Sequence, residues 1–246
     1  MTKLSVNVNK IATLRNSRGG RVPSVTEGVR VCLAAGAPGI TLHPRADQRH
    51  ITPADVRDVA ALLRREAPGV EYNIEGDPRP DLLALVDEVR PDQCTLVPVV
   101  PGEITSHAGW QPGPATSGMP RVIDLLHAMR VRVSVFVAAA PDPIRWAASV
   151  GADRIELYTE PFARAFERGQ DDARRSFAAF VASARLAHEL GLGINAGHDL
   201  DLENLALFRE LPFLDEVSIG HAIVSRALLV GLSTVVREYL DVLSAI

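Results

Sequence analysis

The sequence predicts an α/β protein of the (β/α)8 (TIM) barrel class, folded as a single domain over residues 1–246. Three observations carry that prediction. Eight short apolar runs alternate with amphipathic stretches along 246 residues, which is the element count and the length of such a barrel. The alternation stays regular to the end of the chain. No Gly-x-Gly-x-x-Gly follows the first run, which weakens a doubly wound open sheet as the alternative.

The first strand is Leu4–Val8, and it empties into a stretch carrying Asn7, Asn9, Lys10, Arg15, Asn16, Arg18 and Arg21 around a Gly19-Gly20 hinge. No acidic residue precedes Glu27, so the stretch reads as a basic loop: either a solvated N-terminus or one wall of an anion site. Val25–Gly36 follows as a helix stopping at Gly36, and Gly39–His43 is the second strand. Pro53–Glu66 is helical, with Thr52 placed to cap it and Pro53 at its first position. Glu71–Glu75, Pro80–Arg90 and Gln93–Val97 continue as strand, helix and strand. Pro98–Pro120 is rich in Gly and Pro and too long for an ordinary connection, which marks a functional loop at about 98–120. Arg121–Met129 resumes as helix, Val131–Val137 is the fifth strand, Pro143–Val150 a short helix and Arg154–Tyr158 the sixth strand. A second candidate lid spans 159–171 before the long helix Asp171–Leu190. Gly193–Ala196, Leu202–Arg209, Glu216–Ile219 and one final helix over Ala222–Leu243 complete the barrel.

Composition narrows the function. A net charge of -4 excludes the basic face expected of a nucleic-acid binder. No apolar run reaches membrane-spanning length, and the N-terminus has no signal-peptide pattern, so a cytoplasmic protein is expected. Cys32 and Cys94 stand far apart in apolar surroundings and read as buried free thiols.

Barrels place their chemistry at the C-terminal ends of the strands. The residues at those exits are polar and titratable: Asn7, Asn9 and Lys10; His43, Arg45 and His50; Glu75. Later exits add Glu103 and Thr105, then Thr159, then Asn195, His198 and Asp199, and last Gly220 and His221. Three of the seven histidines, His43, His198 and His221, fall directly at strand exits. Imidazole titrates near neutrality and a buried glutamate is tuned upward, so His43, Glu75 and His198 are the candidate proton-transfer groups. Glu156 lies within its strand and reads either as a group facing the substrate or as a buried partner of a barrel cation. Gly220-His221 opens the last helix, where free backbone N–H groups suit a phosphate; a glycine needed only for a tight turn is the other reading. His43, His50, His198 and His221 with Glu75 would also supply a zinc set, but no His-x-His pair is present and cations crowd the same mouth.

These residues resemble the pyridoxine 5′-phosphate synthase family of deoxyxylulose-dependent vitamin B6 synthesis. The resemblance runs through V-N-V-N-K-I-A-T-L-R-N-S-R-G at 6–19, G-I-T-L-H-P-R-A-D-Q-R-H-I at 39–51 and N-I-E-G at 73–76. It continues in I-E-L-Y-T-E at 155–160, I-N-A-G-H-D-L at 194–200 and S-I-G-H-A-I at 218–223. It implies a homo-octameric barrel that condenses two phosphorylated small molecules, 3-amino-2-oxopropyl phosphate and 1-deoxy-D-xylulose 5-phosphate, with no metal or organic cofactor. By the same resemblance His43 and Glu75 accept protons and His198 donates one. Asn7, Arg18, Asp199, Gly220 and His221 would meet the aminoketone phosphate, and Asn9, Lys10, Arg45, His50 and Thr105 the deoxyxylulose phosphate. The familiar pattern has Asp-His at Asn9-Lys10 and glycine at Asp199; the chain resembles a branch carrying Asn-Lys. A metal-dependent sugar-phosphate isomerase and a non-catalytic phosphate-binding barrel are the competing expectations.

Overall fold

The structure, a computed structural model, describes residues 1–99 and 108–245. β1 (Lys3–Asn7) leads into α1 (Asn9–Asn16), and α2 (Val25–Ala34) into β2 (Gly39–Leu42). Then come α3 (Pro53–Glu66), β3 (Glu71–Gly76), α4 (Pro80–Val89), β4 (Gln93–Leu96), α5 (Met119–Ala128) and β5 (Arg132–Val137). α6 (Pro141–Ser149), β6 (Arg154–Tyr158), α7 (Glu160–Glu167), α8 (Gln170–Glu189) and β7 (Gly193–Gly197) follow. The chain ends with α9 (Leu202–Phe208), β8 (Leu214–Ile219), α10 (His221–Val230) and α11 (Leu232–Ser244). The eight strands are all parallel and close on themselves in chain order, β8 pairing with β1, so the expected barrel is the observed one.

Period-two alternation sorts each strand between two environments. Leu4, Val6, Ile40, Leu42, Ile74 and Leu96 are fully or almost fully buried, and this register turns them outward under the helices. The inward set is polar and bonded to itself. The hydroxyls of Ser5 and Thr41 lie 2.6 Å apart, Asn73 donates to Thr41 at 3.2 Å, and Thr95 donates to Asn73 at 3.0 Å. Below them Arg132 donates to Gln93 and Arg154 to Asn195, each at 2.9 Å. Buried polar groups persist only when paired in this way. Because this interior is bonded lower down, the titratable side chains nearer the strand exits rest on a fixed floor.

Local chemistry explains the helix boundaries. Thr52 and Asp55 form a reciprocal capping box at α3, with Pro53 at its first position as expected. Four expectations are corrected. The basic loop after β1 is helical from Asn9: α1 has no side-chain cap and no acidic first turn, and tertiary burial of Ile11 and Ala12 holds it. The candidate lid at 159–171 is mostly α7, pinned by fully buried Phe162 at 5.1 Å from Phe208 and 6.1 Å from Phe180. The single final helix is two, because Gly231 adopts a φ of +90° between α10 and α11. Within 98–120, α5 already begins at Met119, and Trp110 is tied to Phe136 by its backbone N–H (2.8 Å) and to Leu96 by its indole N–H (2.9 Å). Glu103 and Thr105 lie outside the described residues.

Cys32 and Cys94 are buried and free, and burial pushes both thiols up to about 12. Among the described residues no helix is long and apolar enough to cross a membrane.

Candidate active site

A cavity of about 820 Å³ opens at the C-terminal ends of the strands, within the range of small-molecule sites. Its floor is built by β1, β2, β3 and β8 around Glu75. The Asn7 amide donates to Glu75 Oε2 at 3.3 Å, and the Ser218 hydroxyl donates to Oε1 at 3.4 Å. His43 Nδ1 stands 3.8 Å from Oε2, beyond a hydrogen bond. Asn9 Oδ1 accepts the His43 backbone N–H at 2.9 Å, while the Asn9 N–H donates to Asn7 Oδ1 at 3.1 Å. The Asn-x-Asn pair thus brackets Glu75 and His43, two of the three catalytic candidates, one amide for each.

Burial sets the protonation states here. It pushes the Glu75 carboxyl up to about 7, against the smaller opposing pull of the Ser218 hydroxyl. Burial first, then the electrostatic influence of His50, Arg45, Arg79 and His198, holds His43 well below the usual imidazole range. The close approach of His43 to Glu75 is therefore not an ion pair at neutral pH but a neutral imidazole beside a half-protonated acid. His43 Nε2 is buried with no hydrogen-bond partner among the described residues.

His198 sits across the mouth at the end of β7. Its ring packs against Phe136 (5.3 Å between centroids) and edge-on to Tyr158 (5.6 Å). His198 and Asp199 adopt φ values of +76° and +49°, two successive left-handed residues without a glycine. The Thr159 hydroxyl, directed at the Gly197 carbonyl (2.6 Å) and the His198 carbonyl, and the Asn204 amide on the Asp199 carbonyl (2.9 Å) hold this bend. A glycine at position 199 would adopt it without strain.

Glu156 lines the cavity, and among the described residues it is other carboxyls, Glu75 and Glu216, that act on it electrostatically rather than an arginine or lysine. The reading as a buried partner of a barrel cation is therefore set aside. Burial, then the neighbouring carboxyls of Glu75 and Glu216, push it well above the carboxylate range. Gly197 leaves the room it occupies: a Cβ there would stand 2.5 Å from Glu156 Oε1.

Cations and open N–H groups flank the cavity on two sides. Lys10, Arg45 and His50 line one side, with His50 held down to about 4 chiefly by burial, then by Arg45 and Lys10. On the other side Gly220 and His221 begin α10, and Asp199 lies near them. Gly220 has a φ of -128°, so a tight left-handed turn is not its reason. A Cβ there would meet the Asn7 carbonyl oxygen at 2.8 Å, and its absence lets β8 close onto β1.

The structure thus brings together Asn7, Asn9, Lys10, His43, Arg45 and His50, and opposite them Glu75, Glu156, His198, Asp199, Gly220 and His221. Arg18 does not join them; it stands exposed beyond the end of α1. Sequence reading missed Ser218 and Phe136 as site residues, although period-two spacing from Gly220 and Arg132 would have turned both inward. Among the described residues no three histidine, cysteine or acidic side chains converge as a metal-holding group.

Comparison with known proteins shows the family. Residues 4–245 match the family model described as pyridoxal phosphate biosynthesis protein PdxJ. A pyridoxine 5'-phosphate synthase of Bacteroides thetaiotaomicron is 50% identical over 240 residues, covering 97% of this chain and 98% of its own. One of Leptospira biflexa is 47% identical over 254 residues, covering 99% and 98%. Among solved structures, a thiamine phosphate pyrophosphorylase from Pyrococcus furiosus superposes with a TM-score of 0.63 at 13% identity, covering 98% of this chain and 95% of its own, a likeness of fold alone.

Proposed function

We propose a chemistry for this cavity on the ground that the chain belongs to the pyridoxal phosphate biosynthesis protein PdxJ family and is an enzyme of vitamin B6 synthesis with pyridoxine 5′-phosphate synthase activity. The reaction condenses 3-amino-2-oxopropyl phosphate with 1-deoxy-D-xylulose 5-phosphate and yields pyridoxine 5′-phosphate, inorganic phosphate and water. Amine and ketone join as a Schiff base with loss of water, phosphate is eliminated, and an aldol-type closure followed by dehydration makes the ring aromatic. Every step moves a proton on or off carbon, nitrogen or oxygen, so the site needs several acid/base groups.

The observation that carries this reading is the Glu75 carboxyl. Buried, bonded to Asn7 and Ser218, and tuned to about 7, it takes or returns a proton with little driving force either way at neutral pH. His43, neutral and with a buried Nε2 that has no partner among the described residues, serves as the second base. His198, held by Phe136 and Tyr158, returns protons to the departing oxygens. Glu156 lines the same cavity, and its raised carboxyl suits a hydrogen bond to substrate oxygen. Asn7, Asp199, Gly220 and His221 bind the aminoketone phosphate at the α10 N-terminus. Asn9, Lys10, Arg45 and His50 take the deoxyxylulose phosphate, together with Thr105, which lies outside the described residues. No cofactor enters the scheme.

Incubating the chain with both substrates tests the assignment. Pyridoxine 5′-phosphate, followed by its absorbance, must appear together with inorganic phosphate; failure of both to appear removes the reaction. The working assembly is a homo-octamer, with exposed Leu228 and Leu229 (72% and 84%) on α10 as apolar contact surface, and light scattering of a monomer would refute it. Buried free thiols suit a reducing compartment, the cytoplasm.

A further inference from the structure

Arg15 and Asn16, in the middle of the first motif, do not line the cavity, yet both converge on the backbone of a residue that does. Asn16 Nδ2 donates to the carbonyls of Arg49 (3.2 Å) and His50 (2.8 Å). Arg15 Nη2 donates to the same His50 carbonyl at 3.2 Å and to Asp55 Oδ2 at 2.9 Å, while its Nη1 meets Asp55 Oδ1. Arg15 Nε donates to Asn16 Oδ1 at 2.9 Å, so the two side chains also brace each other. Asp55 in turn accepts the Thr52 N–H and hydroxyl, each at 2.8 Å. The segment 49–52 is therefore gripped by the last turn of α1 on one side and the first turn of α3 on the other.

That grip reaches the His50 ring. The Ile51 N–H donates to His50 Nδ1 at 2.9 Å, which makes Nδ1 an acceptor. A neutral His50 then carries its proton on Nε2. The ring lines the cavity and lies edge-on to His43, with 6.1 Å between centroids.

We propose that Arg15 and Asn16 are positioning residues that fix the place and the tautomer of His50, so that its Nε2–H is presented to a phosphorylated substrate. The proposal rests on the reading above that His50 contacts substrate. Two donors on one carbonyl, one of them anchored by a buried carboxylate, hold the 50–51 peptide in the orientation that aims the Ile51 N–H at the ring. Loss of either donor lets the peptide rotate and both tautomers populate.

The test uses the full-length protein with Asn16→Ala and Arg15→Lys, the second keeping the ion pair with Asp55. Histidine-selective long-range ¹H–¹⁵N spectra report the His50 tautomer without any turnover. The expected result is a single Nε2–H form in the unaltered protein and a mixture in both variants. With it, KM for one of the two substrates rises about five- to tenfold, the loss of one hydrogen bond, while kcat and the other KM stay within about twofold. His50 remaining a single Nε2–H form in both variants, with unchanged KM values, overturns the proposal. So does a joint change of kcat and both KM values with a lowered melting temperature and an unchanged tautomer, which is what a mere structural brace would give. A chain inert to both substrates whose tautomer still loosens in the variants overturns the reaction assignment and leaves the clamp standing.

Discussion

Removing the Ser218 hydroxyl raises the pH at which the cavity works. That hydroxyl donates to Glu75 Oε1 at 3.4 Å, long for an O–H···O bond, so its worth lies at the low end of the usual range, about 0.5 kcal/mol. The bond stabilises the carboxylate over the acid. Without it the protonated form gains, and at 1.36 kcal/mol per pKa unit the carboxyl moves up from its value of about 7 by roughly 0.4 unit. Glu75 acts as a base only when ionised, so the acidic limb of kcat/KM against pH moves by that amount to higher pH in Ser218→Ala. The alkaline limb stays where it is. Initial rates of phosphate release across the neutral range, fitted for both limbs, measure the shift. A limb that stays put or moves to lower pH refutes the reasoning, because then Glu75 is not the ionising base or Ser218 does not tune it.

Four other outcomes follow from the same geometry. Glu75 has a folded pKa of about 7 against the 4.5 of an exposed glutamate, so the folded state holds a proton that the unfolded state has lost between those values. Stability from this group is thus present below 4.5 and lost as pH rises towards 7, and Glu75→Gln removes that loss: it is inactive yet more stable than the parent at pH 8 by about 3 kcal/mol, with the gain gone at low pH, by denaturant titration. His43→Asn and His198→Asn each cut turnover at least about a hundredfold with an unaltered circular dichroism spectrum, and wild-type phosphate release from either removes it from the mechanism. Gly220→Ala pushes on Asn7, which it would approach to 2.8 Å, and lowers kcat/KM more than about tenfold without unfolding. Phe162→Ala empties a fully buried site under α7 and costs about 3–5 kcal/mol; a loss below about 1 kcal/mol would mean that α7 is a loose lid after all.

The barrel was legible because its evidence is periodic. Strand runs such as Arg154–Tyr158 and the Thr52-Pro53 helix start are local signals, and both were read from a few adjacent residues. What escaped depends on distant partners. α1 is helical because Ile11 and Ala12 find a core, not because its ends are capped, and α7 is helical because Phe162 reaches Phe180 and Phe208. Neither contact can be inferred from the eight residues of either helix. Gly231 is the converse case, a local signal that was visible in the sequence and overridden by the apolar runs on both sides of it.

The site divides along the same line. Which residues reach the mouth follows from strand exits, and Asn7, Asn9, Lys10, His43, Arg45, His50, Glu75, Glu156, His198, Asp199, Gly220 and His221 all line it. What each does there depends on cross-strand register. Asn7 lies opposite Thr41 and Asn73 opposite Gln93, an arrangement that carries the Asn7 amide to Glu75 and the Asn9 carbonyl oxygen to the His43 backbone. Asparagine at position 9 therefore gives His43 an acceptor without a charge. An aspartate there would place an anion beside a buried imidazole, favour its protonated form and oppose the burial that keeps it a base. The residue at position 9 thus bears on the protonation of His43, a coupling invisible until β1 and β2 are laid side by side.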